Sequence, residues 1–308
     1  MASALSATHF HNEAAAFAYV EARVWPEGPT CPHCGGVERI SKMQGKSTRM
    51  GLYKCYQCRK PFTVRMGTIF ESSHVALHIW LQAMYLVVGS KKGISSNQLH
   101  RTLGVTLKTA WFMSHRIREA MRSGELAPMG GDGGVVEVDE TYIGKKKGVE
   151  IRRGYAHKSA VLSLVHRESG QSRSFVVDKT DRETIIPIVQ ANVDRETYIL
   201  TDDAGMYTRQ FRNDYLGHAV VRHSAGEYGR GRYIHTNTIE GYFSIFKRGM
   251  KGVYQFCAEK HLHRYLAEFD FRYSNRIGLG CNDEDRADRL LKGIVGKRLT
   301  YQTTCARA

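Results

Sequence analysis

Residues 135–144 read VVEVDETYIG. They open a run of apolar and β-branched segments that continues through KSAVLSLVHR (158–167) and SRSFVVD (172–178), with turn residues between them. Short runs of this composition, bounded by glycine, serine and charged residues, form strands. A helix is expected within 181–193. Pro187 must then lie in its first turn or kink it, because proline has no N–H for the helical ladder. TYILTD (197–202) is a fourth strand. Three consecutive strands, a helix and a further strand fit a mixed sheet in an α/β layer domain. Two helices close it, TNTIEGYFSIFKRGM (236–250) and EKHLHRYLAEFDFRYSNR (259–276).

Upstream, SGELAPMGGDGG (123–134) is a Gly- and Pro-rich linker and marks a domain boundary. Before it, 94–121 (ISSNQLHRTLGVTLKTAWFMSHRIREAM) reads as two helices around Gly104, a helix-turn-helix. Ile94, Leu99, Leu103 and Val105 can pack against Ala110, Met113 and Ile117. Lys108, His115, Arg116 and Arg118 give the second helix a basic character, and Lys108 and Arg116 are candidate phosphate contacts. Residues 72–88 (SSHVALHIWLQAMYLVV) are apolar on most sides of a helix, so that helix is buried. Asn12 can cap a short helix over 12–24, which Pro26 stops. At the far end, a tail helix near 283–298 has Ala287, Leu290, Leu291, Ile294 and Val295 on one face.

Seven cysteines are present, and four of them form C-x2-C-x20-C-x2-C: Cys31, Cys34, Cys55 and Cys58. Two CxxC knuckles supply the four thiolates of a tetrahedral Zn²⁺ site. The Gly35–Gly36 pair lets backbone amides turn toward sulfur. His33 lies inside a knuckle as a loop residue. Cys257, Cys281 and Cys305 are scattered. An odd count with paired spacing points to structural zinc in a reducing cytosol, not to a disulfide framework.

The net charge of +15 favours a polyanionic partner, since each neutralised phosphate releases counterions. Hydrophobic residues make up 42% of the chain, too many for a disordered one. No stretch approaches 18 uninterrupted apolar residues, which argues against a membrane span, and the N-terminus shows no secretory pattern. A cytoplasmic protein is expected.

Chemistry is concentrated in three acids. Asp139 sits in VVEVDETYIG and shares a strand face with Val135 and Glu137. Asp202 ends the strand YILTD, and Glu240 begins a helix. Two Mg²⁺ or Mn²⁺ ions prefer carboxylate oxygens. Held about 4 Å apart, such ions can activate an attacking hydroxyl and stabilise the leaving oxygen of a phosphodiester. Glu137, Glu140 and Asp203 are neighbours easily mistaken for ligands. Glu240 also follows Asn237 by three residues, so it could complete a capping box instead. Lys247, seven residues after Glu240, lies on the same helical face. Ile239, Phe243, Phe246 and Met250 form the face to be buried.

These stretches resemble the bacterial insertion-sequence transposases of the DDE class, in the group with an N-terminal zinc ribbon. The match is carried by WPEGPTCPHCGG, YKCYQCRKPFTVRMGTIFESSH, the helix-turn-helix, VEVDETYIGKKKG, ILTDDAGMY, HTNTIEGYFSIFKRGMKGVY and HLHRYLAEFDFRYSNR. The resemblance implies a ribonuclease H-like fold for the catalytic core at 133–280. That core would follow an N-terminal helix (1–27), a zinc ribbon (28–70) and a helix-turn-helix domain (71–125), and a C-terminal helix and tail (281–308) would complete the chain. It implies Asp139, Asp202 and Glu240 as the DDE triad, with Lys247 as the basic residue after the third acid. Some members carry Asn at the third position, which would be Asn237 here. Glu240 is preferred because only a carboxylate brings charge to the metal. Double-stranded DNA is the implied partner, with the N-terminal modules on the terminal inverted repeats and a homo-oligomer during synapsis. Lys145, Lys146 and Lys147, with Arg152 and Arg153, are candidates for phosphate contacts. A DNA-binding regulator without catalysis and a nuclease of the same fold are the other readings.

Overall fold

A computed structural model of the protein describes residues 3–122, 124, 126–151, 153–202, 207–227, 229–231 and 233–300, with backbone alone at 208 and 209. The chain divides into two compact units, one from 1–90, 94–122 and 282–308, the other from 91–93 and 123–281.

The first unit starts with α1 (Glu13–Val24), capped by the Asn12 side chain, which accepts from the Ala15 amide at 2.9 Å. Glu13 in turn accepts from the Leu77 and His78 amides, so it caps α2 (Leu77–Gly89). As its composition predicts, α2 buries most of its circumference, including Leu77, Trp80, Leu81, Met84 and Val87. Next come α3 (Ser96–Leu103) and α4 (Leu107–Met121). Gly104 between them adopts φ 66°, a left-handed conformation that suits a residue without Cβ. Ser95 and Thr106 cap the two helices with their side-chain oxygens. A helix at the C-terminal end, α9 (Asp283–Lys292), opens on a capping box between Asn282 and Asp285 and packs against α1, α2 and α4. It ends before the expected residue 298, because Gly293 terminates it and Val295 instead bridges to Thr68.

Between α1 and α2 lies a small antiparallel sheet of β1 (Ile40–Lys42), β2 (Tyr53–Cys55) and β3 (Pro61–Phe62). Its core is small: Tyr53 and Phe62 stack at 5.8 Å, and Trp25 meets both edge-on.

The second unit is built on a five-stranded sheet. In chain order the strands are β4 (Val135–Ile143), β5 (Ser159–His166), β6 (Ser172–Val177), β7 (Tyr198–Asp202) and β8 (Gly217–Val221). Their spatial order is β6-β5-β4-β7-β8. The first three pair antiparallel; β7 pairs parallel to β4, and β8 parallel to β7. Helices α5 (Arg182–Asn192) and α6 (Thr208–Asp214) contribute Ile185, Val189 and Phe211 to the core under Val136, Val138 and Ile199. On the opposite face, α7 (Asn237–Gly249) and α8 (Glu259–Ser274) pack on Ile143, Val161 and Val165. A buried polar contact fastens α8 to β6: Asp270 accepts from the Ser174 amide at 2.9 Å and from the Tyr242 hydroxyl at 2.8 Å. Pro187 is interior to α5 and not in its first turn, because Asp181 caps the helix and sets its start. Strand β8 and helix α6 are additions to the expected layout. The five-residue GHAVV lies at a sheet edge and half exposes most of its side chains, so its composition carries little strand signal. Among the described residues, no helix is long and apolar enough to cross a membrane.

Gly249, at the end of α7, packs closely against Phe269 of α8 and against Lys92. A Cβ there would come within 2.5 Å of the Phe269 ring and of the Lys92 carbonyl oxygen. We expect Gly249→Ala to destabilise the protein by about 1–3 kcal/mol through overpacking. That loss should outweigh the roughly 1 kcal/mol that Ala gains over Gly inside a helix. Urea unfolding checks this, and an unchanged midpoint would show that the helices separate freely here.

Candidate functional site

The four cysteines converge. Cys31 and Cys58 sulfurs lie 3.7 Å apart, Cys34 and Cys55 sulfurs 3.8 Å. All four sulfurs fall within 4.8 Å of one another. Tetrahedral zinc with Zn–S bonds of about 2.3 Å requires sulfur–sulfur edges of about 3.8 Å, so the thiolates are placed for that ion. The geometry comes from the knuckles. Gly35 takes φ 72° and donates its amide to the Cys31 carbonyl, while the Cys31 amide donates to the Gly36 carbonyl. In the second knuckle, Arg59 takes φ 62° and the Cys55 amide reaches the Lys60 carbonyl. His33 stays exposed, with Nε2 3.3 Å from the Pro61 carbonyl, outside the cluster.

The acids belong to the second unit. Parallel pairing sets Val135 opposite Tyr198 and Glu137 opposite Leu200. Extending that register by two residues brings Asp139 level with Asp202 on neighbouring strands. Strand alternation puts both on the sheet face that α7 covers. Glu240 lies in the first turn of α7. The groups feel one another. Burial, and then the charge of Asp202, push the Asp139 carboxyl up to about 7; Glu240 adds to the rise, while the Glu140 amide and Lys247 oppose it. Glu140 is likewise pushed up to about 8, by burial and then by Asp139 and Asp202. Carboxylates crowded this closely raise one another's pKa, and an all-oxygen donor set is the chemistry that Mg²⁺ or Mn²⁺ takes. The acids are more widely spread than the thiolates: among the described residues, only the four cysteines bring three or more ligand atoms within 4.8 Å.

Glu240 does not serve a capping box. Thr236 is the N-cap residue, Asn237 is already helical and exposed, and Glu240 accepts from the Thr236 hydroxyl at 3.0 Å. The expected burial of Ile239, Phe243, Phe246 and Met250 is observed. Lys247 lies 5.7 Å over the Phe243 ring.

Three further residues, Glu137, Arg167 and His223, take their places at the site only in three dimensions. Glu137 is fully buried, and its two oxygens do separate jobs: one accepts from Arg167 Nε at 2.5 Å, the other from the Ile239 amide at 2.8 Å. Arg167 also donates to the carbonyls of Tyr233 and His235. Glu137 and Arg167 thereby fix the entry of α7, one residue before Glu240. His223 Nε2 lies 3.4 Å from Glu240 and 3.1 Å from the Thr236 hydroxyl. Alternation places Glu137 on the face of Asp139, but no local signal names its partners.

The candidate phosphate contacts separate. Lys108 is exposed at the start of α4. Arg116 is not on the surface: it is buried, and its guanidinium donates to the carbonyls of Ile69, Glu71 and Leu299. His115 and Arg118 are buried too, so most of the basic character of α4 points into the unit. Lys145 and Lys147 are exposed, whereas Lys146 lies 3.7 Å from Glu259. Arg152 falls outside the described residues.

Comparison with known proteins follows this division of the chain. Residues 11–61 match the transposase zinc-ribbon domain, and residues 132–274 match the ISXO2-like transposase domain. The class is therefore transposase. Within it, the chain belongs to the insertion-sequence transposases that carry a zinc ribbon ahead of the transposase domain. An uncharacterised protein of the transposable element ISH50 from Halobacterium salinarum is 29% identical over 264 residues, covering 80% of this chain and 86% of that one. A chain from the simian T-cell lymphotropic virus intasome in complex with the PP2A regulatory subunit B56 gamma overlaps at 13% identity, covering 56% of this chain and 63% of its own length. Its TM-score of 0.30 is too low to bear on the fold.

Two outcomes follow. Purified protein should carry one zinc per chain by elemental analysis, and Cys55→Ser should abolish that stoichiometry and lower the melting temperature. Full stability after zinc removal would show that the thiolates are dispensable. At the acids, the folded carboxyl of Asp139 titrates above its ordinary value, so its protonated form favours folding. That stabilisation is complete below about pH 4 and is lost as pH rises through about 7. Metal-free Asp139→Asn should therefore melt above wild type at pH 8, with the margin shrinking toward pH 4. Adding Mg²⁺ should raise the melting temperature of wild type more than that of the variant.

Proposed function

We propose that this protein is a DDE-type DNA transposase. It binds the terminal inverted repeats of its insertion sequence, hydrolyses a phosphodiester at each end and joins the freed 3′-hydroxyl to target DNA. The observation that carries this reading is the β4–β7 register, which aligns Asp139 with Asp202 beneath the helix that brings Glu240. The sheet order, with three antiparallel strands continued by two parallel ones and helices on both faces, supports a ribonuclease H-like core.

Asp139, Asp202 and Glu240 are the residues that would hold two Mg²⁺ or Mn²⁺ ions. When bound, such a pair supplies an activated nucleophile and a stabilised leaving oxygen. The chain's own contributions are orientation and charge. Glu137 and Arg167 fix the helix start, so Glu240 is presented without a search through conformers. Lys247, two helical turns on, offsets the negative charge of the acids and of the DNA backbone. In the first step water attacks phosphorus and the 3′-oxygen departs with a proton; in the second that 3′-hydroxyl attacks a target phosphodiester and displaces another 3′-oxygen.

Helices α3 and α4 act in this reading as a DNA-binding helix-turn-helix. The exposed residues around the turn, Gln98, Arg101 and Lys108, supply contacts in place of the buried Arg116. The zinc ribbon assists in binding the repeats, and synapsis of two ends calls for at least two copies of the chain.

The test is strand cleavage and transfer on labelled DNA bearing the flanking repeats, with Mg²⁺ or Mn²⁺. Asp139→Ala, Asp202→Ala and Glu240→Ala should each cut product by about a hundredfold or more while DNA binding persists. Asn237→Ala should retain product. Duplex binding by wild type without cleavage in either metal would replace the enzyme with a DNA-binding regulator.

A further inference from the structure

Beside the acids, the second unit encloses a cavity of about 550 Å³. Strand β4 and the segment after it line one side, and the end of α7 with the following turn lines the other. Four lysines face it, Lys145, Lys158, Lys247 and Lys251, against a single acid, Glu140. Among the described residues, none of these lysines is in an ion pair. Four cations around one cavity repel each other until an anion enters, so the charge pattern selects a phosphate-bearing ligand.

Aromatic groups narrow the chemistry. Tyr155 lines the cavity, is 57% exposed, and stacks on Tyr142 with ring centroids 4.5 Å apart and planes at 11°. Lys158 lies 5.0 Å over its ring. An oriented aromatic beside lysines is the arrangement that holds a nucleobase and its phosphate together. Across the cavity, the backbone is strained. A single turn of π-helix at Met250–Tyr254 runs into Gln255, which takes φ 59° and ψ −48°. Gln255 and Cys257 both line the cavity, and Phe256 between them is 77% exposed. Strain and π-turns persist where neighbouring structure enforces a position, and here they project an apolar ring outward at the cavity rim.

Position decides the source of the ligand. Glu140 follows Asp139 directly, its buried Oε1 has no hydrogen-bond partner among the described residues, and Lys247 acts on the Asp139 carboxyl. The cavity and the acid cluster therefore share residues. A duplex cannot enter a space of this volume, whereas one extruded nucleotide can.

We propose that this cavity takes one unpaired nucleotide of the DNA end, with its phosphates on the four lysines, its base against Tyr155, and Phe256 filling the place it leaves in the duplex. The proposal rests on the transposase reading and adds to it a site for melting the DNA beside the scissile bond.

The test uses the full-length chain and duplexes of the flanking repeat, each with one mismatched pair, scanned through the terminal positions. Affinity is read by fluorescence anisotropy. Because extrusion costs less for a mispaired base, one position should bind about tenfold or more tightly when mispaired. Tyr155→Ala and Phe256→Ala, both at exposed side chains, should remove that gain while leaving affinity for internal repeat sequence unchanged. An abasic residue on the extruded strand at that position should bind more weakly than the mismatch. A gain at no position, or a gain indifferent to both variants, overturns the proposal while leaving DNA binding intact. Displacement of DNA by free deoxyadenosine monophosphate, with no mismatch gain, would assign the cavity to a free nucleotide and overturn it as well. Failure of the paired duplex to bind at all would remove the transposase reading together with the cavity's role.

Discussion

Parallel pairing of β4 with β7 is the constraint on which the second unit depends. A parallel pair cannot be closed by a tight turn; after β5 and β6 extend the sheet on the far side of β4, the chain crosses over through α5 and returns as β7. Backbone hydrogen bonding then fixes the two strands to the residue, and a shift of one position would turn Asp202 to the opposite face. The acid site is thus a consequence of register. Side chains 63 positions apart in sequence are brought onto the same face of neighbouring strands by that pairing, which also keeps Ile199 and Val138 in one core on the other face.

A buried ion pair supplies what the register does not. Glu137 would be costly inside the sheet without its partners, since desolvation of a carboxylate exceeds several kcal/mol. Its bonds to Arg167 and to the Ile239 amide offset that cost and give it a use. Replacement by an apolar pair would pack as well but would leave the start of α7 unfixed. The same helix is held further along by the close approach at Gly249, so both its ends are located relative to the sheet. The carboxylates that meet the helix start repel one another, and together with burial this pushes the pKa of Asp139 and Glu140 upward.

In the first unit a different constraint operates. Strands of two or three residues cannot bury enough surface to stand alone, and the ribbon's core amounts to Tyr53, Phe62, Trp25 and the cysteines themselves. Four thiolates at tetrahedral separations replace the missing core. Around it, helices are joined by side chains that satisfy backbone groups of other segments, as Glu13 does for α2 and Arg116 for the carbonyls of Ile69, Glu71 and Leu299.

By itself the sequence determined much of what depends on near neighbours. The CxxC spacing sets the knuckles, Asn12 and Gly104 set a helix start and a turn, and the two-residue period of VVEVDETYIG places Asp139 on one face of a strand. Apolar spacing likewise named the buried side of α7 before any contact was known. Tertiary structure decided whatever depends on distant partners. Basic residues at 115, 116 and 118 look like a DNA-facing surface when read along a helix, yet they point inward, because only the fold shows which carbonyls need a donor. Of the lysines at 145, 158, 247 and 251 the sequence singles out the first and third, for separate reasons, and only in space do all four share one cavity. The short edge strand β8 was illegible for the same reason: its composition carries little strand signal, and its hydrogen-bonding partner, β7, is what makes it a strand.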